Sequence, residues 1–512
     1  MLLPRRYVIK QVVNYTRKRL NNMPITNPAI RTRFAPSPTG FMHVGNLRTA
    51  LYEYLIAKSL GGTFVLRIED TDQERYVEGA VDIIYTTLKT AGLVHDEGPD
   101  IGGEYGPYVQ SERMDLYKPY AEELVRNGHA YYCFCSKERL ASLHEEGGVE
   151  GGYDRHCRDL SEEEIKKNLE AGIPYVIRQK MPLEGETTFH DCVYGDITVQ
   201  NKELEDQILL KADGYPTYNF ANIIDDHLMK ISHVVRGSEY LSSTPKYNLC
   251  YEAFGWDIPT YVHLPLIQGK NDDGTVSKLS KRHGSTGFED LVAQGFLPEA
   301  IINYIALLGW CPKDNQEVFT LDELSKAFDI SGISKSPSVF DYDKLEWFNG
   351  EYIKKMTPEE FIEFSKPELA KFPMITEDLY PLFAEIMQPR ITRLPQISEK
   401  LGFLHELADY DLELYVHKKS KTTKEGSLEM LNIVLPMLYE IEWTKESLSE
   451  CLTGLAEGMG VKNALVMWPV RIAASGTAVT PGGAVEVMLL LGKEEALKRI
   501  ESGRQRLSAA LS

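Results

Sequence analysis

The pattern of apolar and polar positions changes character along the chain. Near the start, "IRTRFAP" runs into "PSPTG", where proline and glycine punctuate, so the pattern predicts a strand and then a turn. Leu47, Ala50, Leu51, Tyr54 and Leu55 recur at helical spacing, which predicts a helix from Asn46, an N-cap type of residue. "GTFVLRIED" reads as the next strand, and "VEGAVDIIYTTLKTAG" as the next helix, closed by glycine. Alternating strands and helices favour a parallel sheet with right-handed crossovers, in which ligands bind at the carboxyl ends of the strands. Beyond residue 290 the pattern turns helical, as in "LPEAIINYIALLGW", "TPEEFIEFSKPELAKF" and "KEEALKRIESGRQRL", with few strand-like runs.

Composition adds limits. With 512 residues, 43% hydrophobic and 26% charged, the chain has the make-up of a soluble protein. At roughly 100–200 residues per domain, it has room for three to five domains. Runs such as "AIINYIALLGW" fall short of the ~20 apolar residues a bilayer span needs, so no membrane partner is expected. Seven cysteines, an odd number without a secretory h-region, point to a reducing compartment, with cytoplasm as the default. The net charge of −19 does not exclude a nucleic-acid partner, because the sum over several domains says little about one face. The first thirty positions hold Arg5, Arg6, Lys10, Arg17, Lys18 and Arg19 without an acid, a pattern open to a transit peptide or an RNA-touching arm; the favoured reading is a disordered extension or an upstream start, with Met23 as the true start.

Two stretches carry candidate chemistry. In "RFAPSPTGFMHVGNLRTALYEYL", the turn delivers the chain to a helix N-terminus, whose unpaired N–H groups and positive dipole end attract phosphate. Gly40 and Gly45 let a nucleotide approach the backbone, and His43 can donate to a phosphate oxygen. In "GKNDDGTVSKLSKRHGSTG", Lys278 and Lys281 lie three apart in a segment without helical or strand periodicity, hence a mobile loop able to close over a triphosphate. Alone, each stretch has a plain structural reading: a capping histidine, and a solvated lysine pair.

Together, "HVGN" and "KLSKR" resemble the two signature motifs of class I aminoacyl-tRNA synthetases. "RFAPSPTG", "LRTALYEYL", "LRIEDTD", "YPTYNFANIIDDHLM", "VVRGSEYLSSTPKY" and "AFGW" narrow this to a resemblance to the bacterial type of glutamyl-tRNA synthetase, from about residue 31 to the C-terminus. The resemblance implies a multidomain α/β plus all-α protein. A flexible extension at 1–28 would precede a Rossmann-type parallel-sheet catalytic domain at 29–109 and 219–272, interrupted by an acceptor-binding insertion at 110–218. A stem-contact domain at 273–353 and an all-helical anticodon-binding region at 354–512, in two parts meeting near 415, would follow.

The implied reaction activates L-glutamate with ATP and Mg2+ to glutamyl-adenylate, then transfers it to the 3′ end of tRNA(Glu). Since the nucleophile is already a carboxylate, catalysis would lie in positioning and in stabilising charge at phosphorus. His43, Lys278 and Lys281 would be catalytic, with Gly45, Asn46, Glu239, Tyr240 and Ser280 also at the nucleotide. The family often has tryptophan where Tyr240 stands. Glutamate offers two carboxylates and one ammonium, so a site should offer two cations and one anion. By resemblance, Arg33 would hold the α-carboxylate, Glu69 the ammonium and Arg236 the side-chain carboxylate, helped by Tyr218 and Asn222.

Relatives bind structural zinc through Cys-x-Cys and Cys-x-His pairs. This chain has Cys133, Cys135 and Cys157 but Asp159 where the histidine would be. Zinc accepts carboxylate oxygen, so Asp159 is a candidate fourth ligand and His156 its rival; three free thiols are the alternative. Cys192, Cys250, Cys311 and Cys451 read as isolated buried cysteines. Lys418, Lys419, Lys421 and Lys424 form a candidate phosphate-contact patch, and Arg390 and Arg393 candidate base readers. Two rival functions stand beside this one: the short paralogue that glutamylates a base within tRNA, against which the length argues, and a non-catalytic RNA-binding paralogue, which would be expected to lack His43 or Lys281. A monomer is expected; whether tRNA(Gln) is also charged is left open by the sequence.

Overall fold

The computed structural model describes residues 26–27, 29–71, 77–145, 153–271, 273–284 and 286–512, with the backbone alone at 143–145 and Lys281. The basic arm, up to residue 25, lies outside the described residues. The chain divides into two compact units; one runs to Leu291 and resumes at Ile301–Tyr342, and the other comprises Val292–Ala300 and Asp343–Ser512.

In the first unit, strand β1 (Arg31–Phe34) is buried at every position and leads through the proline turn to helix α1 (Val44–Ser59). Strand β2 (Thr63–Leu66) returns parallel to β1, with Arg33 opposite Val65, and helix α2 (Ala80–Thr90) follows. Both strands are shorter than predicted, although the Arg67 N–H still donates to the Phe34 carbonyl at 2.9 Å and the Glu69 N–H to the Pro36 carbonyl at 3.1 Å. Helix α3 (Met114–Arg126) opens an inserted segment. Within it, β3 (Ala130–Cys133), β4 (Val176–Gln179) and β7 (Ile208–Leu210) form an antiparallel sheet, and β5 (Glu186–Asp191) and β6 (Gly195–Gln200) form a hairpin.

The chain then re-enters the parallel layer. Helix α4 (Tyr218–Leu228) leads into β8 (His233–Gly237), then helix α5 (Thr244–Phe254) into β9 (Thr260–Leu264), which runs parallel to β8. The head of β8 is tied to β1, since the Ser232 N–H donates to the Arg31 carbonyl at 3.0 Å. The carboxyl ends of β1 and β8 therefore open on the same side, as the alternating pattern anticipates. Last come β10 (Ile267–Lys270), β11 (Val276–Lys278) and β12 (Ser338–Phe340), with β10 between the other two.

The second unit is helical, and among its described residues there is no strand. Its helices start where the sequence supplies caps. The Thr357 hydroxyl accepts the Glu360 N–H while the Glu360 carboxylate accepts the Thr357 N–H, a reciprocal pair that satisfies two orphan donors of helix Pro358–Leu369. Helices Lys424–Glu440, Asn463–Ser475 and Lys493–Leu511 bury Leu431, Val434, Val470, Ile500 and Leu507 completely, one apolar stripe from each.

Candidate active site

A cavity of about 520 Å³ opens at the carboxyl ends of β1 and β8. Arg33, Glu69, Tyr218 and Arg236 line its inner end; His43, Gly45, Asn46, Glu239, Tyr240 and Lys278 line the remainder.

Helix α1 starts at Val44, two residues before the expected Asn46. Its cap is His43, whose Nδ1 accepts the Gly45 N–H at 3.1 Å. The imidazole does what a Ser or Asp side chain usually does, and so leaves Asn46 inside the first turn, on the cavity wall. Gly40 has φ +120°, a backbone region closed to most side chains, which lets the turn reach this cap. The loop is also pinned from outside: the Val44 N–H donates to the Thr286 carbonyl at 2.9 Å, and the Phe288 N–H to the Met42 carbonyl at 3.2 Å. The chain that follows "KLSKR" thus returns to hydrogen-bond "HVGN", and two motifs far apart in sequence become one assembly.

The "KLSKR" segment is more regular than its sequence suggests. Lys278 ends β11, opposite Gln268, and Lys281 begins a 3-10 turn, Lys281–His283. The structure explains the missed signal through His283, whose Nε2 lies 2.9 Å from Asn271 Oδ1 while its Nδ1 accepts the Ser280 N–H at 3.1 Å. The ring lies over Gly269, where a Cβ would come within 2.4 Å of it. Lys278 reaches the cavity wall; Ser280 does not, being turned toward His283. The Lys281 side chain lies outside the described residues.

At the inner end, charges are dense and buried. Arg33 donates through Nε to Asp226 at 2.9 Å and through Nη1 to Glu53 at 3.2 Å. Arg67 donates to the same Asp226 oxygen at 2.8 Å and to Glu69 Oε1 at 2.8 Å. Burial raises the Glu69 carboxyl above its ordinary range, with Arg67 opposing. Its second oxygen, Oε2, has no hydrogen-bond partner among the described residues. Arg236 is 7% exposed, its guanidinium 5.4 Å from the Tyr240 ring centre and 4.8 Å from that of Tyr247, and its Nε and Nη1 also lack partners. Buried donors without acceptors are costly, so these two invite a carboxylate. Asn222 does not line the cavity; its amide donates to the Tyr218 carbonyl at 2.8 Å and fixes the turn that presents Tyr218.

Over residues 29–347 the chain matches the family described as tRNA synthetases class I (E and Q), catalytic domain, and over 330–504 an anticodon binding domain. It is 57% identical over 488 residues to a glutamate–tRNA ligase of Clostridium novyi, covering 94% of this chain and 99% of that protein. A similar protein from Lachnoclostridium phytofermentans is 56% identical over 493 residues, with 94% and 99% covered. The chain belongs to the class I glutamyl-tRNA synthetases of the bacterial type. The crystal structure of a glutamate tRNA ligase from Elizabethkingia meningosepticum, in complex with its amino acid, superposes with a TM-score of 0.86 at 38% identity, covering 94% of this chain and all of that one.

The zinc ligands expected of a glutamyl-tRNA synthetase need one correction. Cys133, Cys135 and Cys157 do converge, with their sulfurs within 4.8 Å of one another and Cys135 and Cys157 at 3.5 Å. Tetrahedral zinc with thiolates at ~2.3 Å wants sulfurs roughly 3.8 Å apart, so the cluster fits. Asp159 is not part of it: the side chain is 86% exposed and lies 3.7 Å from Lys180. His156 is exposed as well. Arg155, between Tyr153 and His156, has φ +58°, and the Tyr153 hydroxyl lies beside the thiols, 3.2 Å from Cys133 Sγ and 3.7 Å from Cys135 Sγ. A phenol in a "YDRHC" turn carries no ligand signal in the sequence.

Three further expectations change. Of the isolated cysteines only Cys250 is buried; Cys192 and Cys451 are half-buried, and Cys311 is exposed. Lys418, Lys419 and Lys421 are exposed, but Lys424 is paired with Glu413 at 2.5 Å. Arg393 is likewise paired, with Glu346 at 2.6 Å.

Proposed function

We propose that this chain is a glutamate–tRNA ligase that joins L-glutamate to tRNA(Glu) in two steps with ATP. The observation that carries the reading is Arg236, a buried guanidinium with two donors lacking acceptors among the described residues, lining the same cavity as Glu69, whose Oε2 likewise has no partner there. Two cations, Arg33 and Arg236, and one anion, Glu69, match glutamate's two carboxylates and one ammonium. Arg33 orients the α-carboxylate, Glu69 holds the ammonium and Arg236 takes the side-chain carboxylate.

In the first step an oxygen of the α-carboxylate forms a bond to the α-phosphorus of MgATP, and the bond from that phosphorus to pyrophosphate breaks. No proton has to move. His43, Lys278 and Lys281 offset the charge that builds on the phosphates, aided by the N-terminal end of α1, and Glu239 and Tyr240 border the nucleotide. In the second step the terminal ribose hydroxyl of tRNA attacks the acyl carbon, and AMP leaves.

The division of labour follows the organisation expected from the sequence: residues 110–218 take the acceptor end, 273–353 the stem, and 354–512 the anticodon. A structural zinc is held by Cys133, Cys135, Cys157 and Tyr153, where it would fix the base of the acceptor-binding segment. Among the described residues no helix is long and apolar enough to cross a membrane. The enzyme acts in the cytoplasm as a monomer. Charging assays with purified tRNA(Glu) and tRNA(Gln) test the reading. Glutamate-dependent charging of tRNA(Glu) is expected, its absence refutes the reading, and the second tRNA decides how widely the enzyme acts.

A further inference from the structure

Glu53 lies within "LRTALYEYL" but has no role assigned so far, and it stands on the cavity wall. Gly45, Thr49 and Glu53 recur every four residues, so one face of α1 carries all three to the cavity, with Glu53 deepest. It is 1% exposed. One carboxyl oxygen accepts from Arg33 Nη1 at 3.2 Å; the other, Oε2, has no partner among the described residues.

The charges around it can be counted. Arg33 on β1, Arg67 just beyond β2 and Arg236 on β8 give three cations. Asp226 on α4, Glu69 and Glu53 itself give three carboxyls. Were all of them ionised, the inner end would be neutral, and glutamate, with a net charge of −1, would leave a dry pocket with one uncompensated negative charge. Asp226 accepts from both Arg33 and Arg67, and Glu69 is held by Arg67 in two contacts, at 2.8 and 3.2 Å. Glu53 has the one long contact to Arg33 and is the least compensated of the three.

We infer that Glu53 stands in the substrate complex as a neutral carboxylic acid, a positioning residue that orients Arg33 while giving the amino-acid end of the pocket one net positive charge. Burial, the largest influence, raises its pKa well above the ordinary range; Arg33 and Arg67 oppose and Asp226 adds to the rise. The pocket then matches glutamate in net charge and mismatches the zwitterion of glutamine. This deepens the assignment of glutamate as the substrate and rests on it.

The test compares wild type with Glu53→Gln, which fixes the neutral state in nearly the same shape, and Glu53→Ala, which removes the group. Charging of tRNA(Glu) is measured with glutamate and with glutamine as substrates, from pH 6.5 to 8.5. Glu53→Gln is expected to keep the Michaelis constant for glutamate and the glutamate-to-glutamine ratio of kcat/KM within about threefold of wild type across the range. Glu53→Ala should raise the Michaelis constant but keep the ratio. Were Glu53 ionised, removing its charge would shift the ratio in both variants, so a shift beyond threefold in Glu53→Gln, or in Glu53→Ala should the first not fold, overturns the inference. Wild type that charges no glutamate at all would instead refute the substrate.

Discussion

Arg33 and Asp226 are joined at 2.9 Å across 193 positions of sequence, and Arg67 closes on the same carboxylate oxygen at 2.8 Å. One buried aspartate on α4 thereby fixes Arg33 of β1, at the inner end of the cavity, and Arg67, just beyond β2. Burial alone would raise its pKa, but Arg33 and Arg67 outweigh burial and hold it below the ordinary range.

Asp226→Asn should leave two buried cations short of an anion and destabilise the protein by ~3–5 kcal/mol. The sign follows from the lowered folded pKa: the stabilisation is complete above the unfolded value of about 3.9 and is lost as pH falls through the folded one. Denaturant unfolding of both proteins should show the full gap at pH 7 and a narrowing gap below about pH 4. A gap independent of pH would mean that the carboxylate charge is not what stabilises.

Lys281→Ala should lower the single-turnover rate of adenylate formation by about 10²–10³ while leaving tRNA affinity nearly unchanged. Lys278→Ala should act in the same direction. An unchanged rate in both would remove the lysines from the phosphate chemistry.

Purified protein should contain about one equivalent of zinc by elemental analysis. Cys135→Ser and Tyr153→Phe should release or weaken it, whereas Asp159→Ala should retain it, because Asp159 faces Lys180. Zinc lost on replacing Asp159 and kept on replacing Tyr153 would reverse the ligand assignment.

Much of the site was legible in the sequence because motif residues act locally. His43 and Gly45 share one helix start, and Lys278 ends a short strand beside the cavity. Arg33, Glu69 and Arg236, taken from the resemblance, line the same cavity. What the sequence hid is what depends on distant partners. Asp226 looks like any acid in a helix until Arg33 and Arg67 reach it. Glu53 reads as a polar position in an amphipathic helix, although both faces of α1 are covered. Tyr153 has no ligand signature, and Asp159 had only its place in a pattern. The order around "KLSKR" comes from the fit of His283 over Gly269, which no periodicity encodes.

Glutamate and glutamine have nearly the same shape, so a pocket must separate them by charge; the proposed discriminator is Arg236, whose Nε and Nη1 have no partner among the described residues. The direct measurement is adenylate formation by Arg236→Cys with each amino acid, run with tRNA present. The variant should show a steeply raised Michaelis constant for glutamate and a much reduced preference over glutamine, while Arg33→Ala, which loses a contact common to both, weakens the two about equally. An Arg236→Cys enzyme that keeps the original glutamate-to-glutamine ratio would contradict recognition of the side-chain carboxylate by Arg236.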